Sequence, residues 1–181
     1  KSGVNISQHY GTKVQSMDYE VHSSMILGSI SGVFLDMNLS NNLALGYEVL
    51  YTQKGSKQKI VINNLDGEDL VRPAVMNVLY SIDYLEVPVL LKVNVITNPK
   101  WTVKAITGSA MSLKTGGKHT LNGKVYFPDG DSYTTFDIHE ESGLAYLNGF
   151  DYSLVYGGSV EYLSKWDVFL EYRFTLGWDY L

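Results

Sequence analysis

Eight charged residues occupy alternate positions within otherwise apolar stretches, and these side chains have the clearest chemical potential. They are Glu48, Lys54, Glu86, Lys92, Lys104, Glu161, Glu171 and Arg173. A pair of carboxylates such as Glu48 and Glu86 could perform acid–base catalysis. However, the set holds four acidic and four basic residues, and unpaired charge in a protein interior is strongly destabilising. We therefore predict a structural network of ion pairs in preference to catalysis or a proton path.

Other chemical sites have little support in the sequence. All four histidines fall in predicted loops without the spacing of metal ligands. They are His9, His22, His119 and His139. The sequences Asp66-Gly67 and Asp129-Gly130 lack the full oxygen ligand set of a calcium loop, and Asp-Gly is first a turn signal. Because cysteine is also absent, we predict no metal, no cofactor and no enzymatic activity.

The charged positions lie on β-strands, and the segment from Tyr84 to Asn94 shows this most clearly. Its odd positions are uniformly aliphatic, whereas its even positions include Glu86 and Lys92. Successive side chains of a strand point to opposite faces, so this pattern gives one hydrocarbon face and one charged face. A helix would mix the charges with the aliphatic residues around one cylinder. The segment therefore predicts a strand.

The same alternation recurs along the chain and predicts seven strands. They cover Ser2–Ile6, Met25–Leu39, Leu43–Lys54, Asn77–Ile96, Trp101–Leu113, Phe150–Tyr162 and Trp166–Trp178. Long loops are expected at about 7–24, 55–75 and 114–149, the last with a small hairpin over Leu121–Thr135, and short turns separate the other strands. An antiparallel meander then has all short turns at one end, which is the asymmetry of outer-membrane barrels. We interpret residues 1–181 as a single domain.

The composition of the two faces indicates which one points inward. The charged face also carries small residues such as Gly46, Gly108 and Gly157, as expected where side chains crowd inside a narrow barrel. The apolar face carries aromatic residues beside the short turns, where amphipathic rings form a girdle at the membrane edge. These are Trp101, Tyr162 and Trp166. We predict that the charged face lines a lumen and that the apolar face contacts lipid.

These features predict an all-β fold, an eight-stranded antiparallel up-and-down transmembrane β-barrel. The strands are mostly long enough to cross a bilayer when tilted. Bacterial single-chain barrels have even strand numbers, whereas seven strands are visible here. We therefore expect the first and last strands to be truncated, with most of an eighth strand beyond Leu181. Otherwise an open sheet edge would leave backbone groups unsatisfied in lipid.

Charge and composition narrow the location and the partners. The net charge of −5 and the pI near 5.3 argue against nucleic-acid binding. No run of 18 apolar residues is present, which excludes a transmembrane helix. The expected location is the outer membrane of a Gram-negative bacterium. The expected partners are outer-membrane lipid and envelope or secretion proteins, and the chain is expected to be monomeric.

Two alternatives remain open on the sequence alone. A soluble, lipocalin-like barrel would turn the aliphatic face inward and bind a hydrophobic small molecule. Its cavity wall would be Leu85, Val87, Val89 and Leu91. A membrane-embedded enzyme would need a Ser–His pair near the outer rim, and no such pair can be placed from the sequence. We favour a non-enzymatic membrane barrel whose lumen is filled by side chains.

Four segments also resemble the PorT-like outer-membrane β-barrel proteins of Bacteroidetes. Lys1–Ser7 is similar to their K-x-G-x-N-x-S opening, and Glu48–Gly55 to their third-strand E-L-x-Y-x-x-K-G. Tyr84–Lys92 resembles their Y-L-E-I-P-x-L-x-K motif, and Gly157-Gly158 with Glu161-Tyr162 fits their sixth strand. The resemblance implies an eight-stranded outer-membrane barrel made with a signal peptide. The family's namesake is associated with protein secretion, although most members have no assigned activity. We predict a surface recognition or accessory role, carried by the long loops.

Overall fold

The computed structural model of the chain describes residues 1–7, 19–65, 68–129, 132–143, 149–163 and 168–178. Within these ranges it contains nine β-strands. They are β1 (Ser2–Ser7), β2 (Tyr19–Ser24), β3 (Ile26–Ser40), β4 (Leu43–Leu65), β5 (Glu68–Thr97), β6 (Trp101–Asp129), β7 (Ser132–Gly143), β8 (Phe150–Tyr162) and β9 (Val168–Trp178). No helix in the described part of the chain is long and apolar enough to cross a membrane.

The nine strands form one antiparallel up-and-down sheet that curls into a half-barrel. Its main path runs β1-β3-β4-β5-β6-β8-β9, and every neighbouring pair is antiparallel. Beyond a break at Met25, β2 prolongs β3 and pairs with the far half of β4. In the same way, β7 pairs with the far half of β6. The all-β, up-and-down prediction is confirmed.

Contacts between strands that are distant in the sheet show which face is concave. Arg173 on β9 reaches Glu48 on β4, and the ring of Phe169 on β9 lies 5.5 Å from that of Phe34 on β3. The face carrying these residues must be concave, because β9 and β4 are separated by three strands. Glu86 and Lys92 share this face, as the alternation predicts.

The aliphatic face is convex and exposed. Leu85, Val87, Val89 and Leu91 are 37–39 % exposed, and Leu170 on β9 is 79 % exposed. The alternative in which Leu85, Val87, Val89 and Leu91 line an internal cavity is therefore wrong. Exposed aliphatic side chains on every long strand form a continuous apolar band, which is the surface that a lipid environment favours.

Glycines on the concave face allow neighbouring backbones to approach closely. A Cβ added at Gly108 would fall on the carbonyl oxygen of Val89, and one at Gly157 on that of Tyr172. Gly32 meets the carbonyl of Val49 in the same way. Glycine at these positions of the inner face therefore lets neighbouring strands of the curved sheet lie close together.

An apolar cluster on the concave face was not predicted. It consists of Leu90, Ile106, Ala110 and Val155, from three neighbouring strands, and Leu90 is completely buried. These residues occupy the same alternate positions as the charges. The concave face therefore holds an apolar layer beside its ion pairs.

Two predicted loops are largely extended hairpins. Since β4 continues to Leu65 and β5 begins at Glu68, most of the predicted loop 55–75 is paired strand. Most of the predicted loop 114–149 is likewise strand, because β6 continues to Asp129 and pairs with β7. A hairpin does occur where one was predicted. These segments were predicted as loops because they are polar. Polar side chains do not, however, prevent two strands from pairing through backbone hydrogen bonds.

The remaining predicted loop and the sheet edges are described only in part. Tyr19–Ser24, inside the predicted loop 7–24, forms β2, whereas residues 8–18 lie outside the described residues. The edges of the described sheet are β1 and β9, which run in the same direction. The predicted eighth strand does not fall among the described residues, so closure by eight strands stays a prediction, as does the single-domain interpretation.

Candidate functional site

Glu48, near the beginning of β4, is the hub of the largest ion-pair cluster on the concave face. Its side chain is 0 % exposed. The guanidinium of Arg173 donates to both carboxylate oxygens, with Nη1–Oε2 and Nη2–Oε1 distances of 2.8 and 2.6 Å. The ammonium groups of Lys1 and Lys92 lie 3.2 and 4.0 Å from Oε1. A bidentate Arg–carboxylate pair is strong and directional, so Glu48 is fixed in one orientation.

Two further carboxylates balance the charge of this cluster. Glu171 pairs with both Lys1 and Arg173. Asp36 on β3 accepts from Lys92 through both oxygens, at 2.6 and 2.9 Å. Three cations thus face three carboxylates across β3, β4, β5 and β9 and the N-terminal residue. Such neutrality is what a buried cluster requires, because an unpaired charge there would be costly.

Local packing makes room for Lys92 within the cluster. A Cβ at Gly46 would come within 2.9 Å of both Lys92 Cε and Asp36 Oδ1, so a larger residue here would require these two side chains to shift. The Lys92 ammonium also lies 5.6 Å from the centre of the Phe34 ring. Cation–π attraction adds to the ion pair at that distance. Gly46 and Phe34 therefore help to position the ammonium group of Lys92.

Glu86 forms a second, smaller cluster on β5. It pairs with Lys54, accepts from Thr52 Oγ1 at 3.1 Å through Oε2, and accepts from Ser112 Oγ at 3.1 Å through Oε1. The Lys54 ammonium lies 5.4 Å from the centre of the Tyr84 ring. Both carboxylate oxygens thus have partners. A general base needs a lone pair free for a substrate proton, so this arrangement does not favour acid–base catalysis.

All eight residues of the predicted network take part in ion pairs. Besides the two clusters, Lys104 and Glu161 form a pair with a 2.6 Å separation, and their side chains are 14 % and 26 % exposed. The predicted meeting of Glu48 and Lys54 with Glu86 and Lys92 takes the form of a Lys54–Glu86 pair and a longer Glu48–Lys92 contact. That the network is structural stays a prediction.

Lys1 and Asp36 belong to the network but are missing from the predicted set. Asp36 alternates with Leu35 and Met37 and therefore lies on the charged face, which the sequence indicates. Its partner on β5 could be found only from the register of three strands. Lys1 precedes β1 and reaches two other strands, so no local pattern identifies it. The two residues have opposite charges, and the predicted balance is kept.

The histidines show little chemistry. Contrary to the prediction, His22, His119 and His139 lie on β2, β6 and β7, whereas His9 is outside the described residues. Ser142 Oγ lies 3.2 Å from both ring nitrogens of His119. A hydroxyl aligned with one nitrogen would be clearly farther from the other, so this contact lacks the geometry of a nucleophile–base pair. Within the described ranges, no group of three or more His, Asp or Glu residues could hold a metal ion.

Aromatic residues border the convex face near the short turns, and the girdle that they were predicted to form stays a prediction. Trp101 and Tyr162 are cross-strand partners whose ring centres lie 4.7 Å apart, and both are exposed. Trp166, the third predicted member of the girdle, lies outside the described residues. An exposed pair of amphipathic rings at the end of an apolar band fits the boundary between hydrocarbon and headgroups.

The comparisons with known proteins agree with this geometry. A sequence model of the family described as "Outer membrane protein beta-barrel domain" matches residues 1–178. No curated protein matches the chain, and no solved structure matches it.

Proposed function

The chain belongs to the outer membrane protein β-barrel domain family, and from this premise we propose that it is a non-enzymatic barrel with a closed lumen. In this proposal the lumen serves stability, and the extended hairpins carry recognition. The family match covers nearly the whole chain and supports a location in the outer membrane. We further propose that the membrane is that of a Gram-negative bacterium and that the chain is a PorT-like protein of Bacteroidetes.

The proposal of a closed lumen rests on one observation, the burial of Glu48 among Arg173, Lys1 and Lys92. A conducting pore needs charges that face water, whereas this carboxylate is completely covered by cations and their aliphatic stems. The neighbouring layer around Leu90 adds apolar packing. Since both oxygens of Glu48 and Glu86 are engaged, the network supports filling and rigidity rather than turnover.

The recognition role rests on the length of the hairpins. The apolar band of β5 spans Leu85 to Val95, about the length that crosses a bilayer when tilted. The β4–β5 and β6–β7 hairpins continue far beyond it. We propose that they contact envelope or secretion proteins, that the barrel acts as a monomer and that it binds no nucleic acid. Rigid paired strands present side chains in a fixed order, which suits recognition of a partner.

Three measurements test this proposal. The full chain should fractionate with the outer membrane, and after extraction in detergent it should migrate as a folded, heat-modifiable band. In planar bilayers it should give no steady conductance. Stable channels would contradict the closed lumen, and recovery as a soluble monomer would contradict the membrane barrel.

A separate assay tests the absence of catalysis. Ester and phospholipid substrates should remain intact with purified protein, and Ser142→Ala should behave like the parent chain. Turnover that disappears in Ser142→Ala would show that the Ser142–His119 contact is catalytic.

A further inference from the structure

A patch of lysines lies on the outward face of the extended hairpins, directly beyond the apolar band. The band ends at a row formed by Tyr51, Leu85, Leu113 and Phe150, all exposed on the convex face. The next row is polar and contains Gln53 and Asp83. Beyond it lie three exposed cations, Lys118, Lys57 and Lys59, which we name the lysine patch.

The register places the patch residues on three neighbouring strands. Lys118 is in the row of Ser81, Lys57 in the row of Leu79 and Thr120, and Lys59 in the row of Asn77 and Asn122. His22 on β2 lies directly opposite Lys59. Lysines therefore alternate with hydroxyl and amide side chains on one surface. Glu20 and Asp83 border this surface at its outer and inner edges.

Lys57 and Lys59 have no ion-pair partner among the described residues. This contrasts with the concave face, where five cations are matched by five carboxylates. The patch also opposes the sign of the whole chain, whose net charge is −5. Because both side chains are exposed, water hydrates these two cations, and their unmatched charge is available to an anion from outside the described residues.

The height of the patch identifies the kind of anion. With about 3.3 Å per residue and a strand tilt of about 45°, the row of Lys118 lies roughly 9 Å beyond the last apolar row. By the same geometry, the rows of Lys57 and Lys59 lie about 14 and about 19 Å beyond it. Phospholipid headgroups extend only about 5–8 Å from the hydrocarbon. A headgroup that contacts this patch must therefore extend farther from the hydrocarbon than a phospholipid headgroup does, as a headgroup built of sugars can.

We infer that the lysine patch binds the phosphorylated sugar headgroup of a membrane glycolipid. Lysine supplies a point charge for phosphate, and its long stem allows the ammonium to move toward the headgroup layer. Asn77, Asn122 and Thr120 offer donors and acceptors for sugar hydroxyls. The acyl chains of the same lipid would lie against the apolar band below. This inference rests on the proposed membrane placement but not on the closed lumen or on partner recognition.

The test measures lipid binding to the full chain purified in a nonionic detergent. The probe is a diphosphorylated glucosamine disaccharide lipid, and the dephosphorylated form of the same lipid is the comparison. The parent chain should bind the phosphorylated form much more tightly. Because each lysine near a membrane surface strengthens binding about fivefold, Lys57→Gln combined with Lys59→Gln should weaken it roughly 25-fold. Lys100→Gln, an exposed lysine at the short-turn end, is the matched control and should bind within twofold of the parent.

Each result has one reading, provided that every variant keeps its heat-modifiable band. Equal binding of both lipid forms, or an equal loss in Lys100→Gln and the double variant, would overturn the inference. Equally tight binding of phosphatidylglycerol would overturn the sugar specificity. Equally tight binding of soluble glucosamine 6-phosphate would overturn the assignment to a lipid. Loss of the band in the parent chain would instead refute the proposed membrane barrel.

Discussion

Neutralising Glu48 should destabilise the protein more than neutralising any other carboxylate on the concave face. Glu48→Gln keeps the size of the side chain but leaves three cations facing only Glu171 and Asp36. Removing one partner of a buried ion pair typically costs about 3–5 kcal/mol. The upper part of that range applies, because the side chain is 0 % exposed and two cations lie within 3.2 Å of it. Equilibrium urea unfolding in phospholipid vesicles, followed by tryptophan fluorescence, measures the change in unfolding free energy.

Two companion variants make this measurement decisive. Glu161→Gln removes a carboxylate of similar pairing distance whose side chain is 26 % exposed, and it should cost about 1 kcal/mol or less. Glu48→Gln combined with Arg173→Gln removes one charge of each sign and leaves two matched pairs. This double variant should be more stable than Glu48→Gln alone, since no charge is left uncompensated. Equal costs for Glu48→Gln and Glu161→Gln, or additive costs in the double variant, would refute the view of a coupled neutral cluster.

Three further substitutions, two of them with a control substitution, test the packing of the two faces in the same unfolding assay. Gly108→Ala should cost about 1–3 kcal/mol or more, because the added Cβ would meet the Val89 carbonyl. Gly116→Ala on the same strand is the control and should cost less than about 1 kcal/mol, because the nearest atom to its added Cβ lies at 3.6 Å. Equal losses of stability would contradict the close backbone approach at Gly108. Leu90→Ala should cost about 2–5 kcal/mol by opening a cavity in the apolar layer, and a cost below this range would show that the layer is loosely packed. Val89→Arg on the convex face should cost about 2–4 kcal/mol in vesicles, whereas Leu79→Arg beyond the apolar band should cost at most about 1 kcal/mol; similar costs at both positions would place the band elsewhere.

The strands and their faces could be predicted because a period of two is visible without knowledge of the register. Leu85 to Val93 and Glu86 to Lys92 separate into two faces in the sequence itself, and the structure keeps them apart. The hairpin extensions were missed because their alternation is weaker. Lys57 to Lys59 reads as polar loop, although Ile60 to Ile62 directly after it has strong strand propensity.

The candidate site was predictable in membership but not in pairing. Charged residues on the inner face can be recognised from alternation, and their balance of sign anticipates a neutral network. Which carboxylate meets which cation depends on curvature, since Glu48 and Arg173 are 125 positions apart and lie on strands that are not neighbours. Lys1 lies outside any strand pattern. Long-range contacts of this kind follow from the curvature of the sheet, which no local signal encodes.

The buried charges also give a physical reason why the sheet has one register. Both faces carry aliphatic residues, for Leu50 and Leu90 point inward while Val49 and Val89 point outward. With apolar residues alone, a slip of one residue would exchange the faces at small cost in a lipid environment. With Glu48 and Lys92 in place, the same slip would expose both charges to hydrocarbon and leave their partners unpaired. The ion pairs therefore favour the observed register over the slipped one, in addition to their contribution to stability.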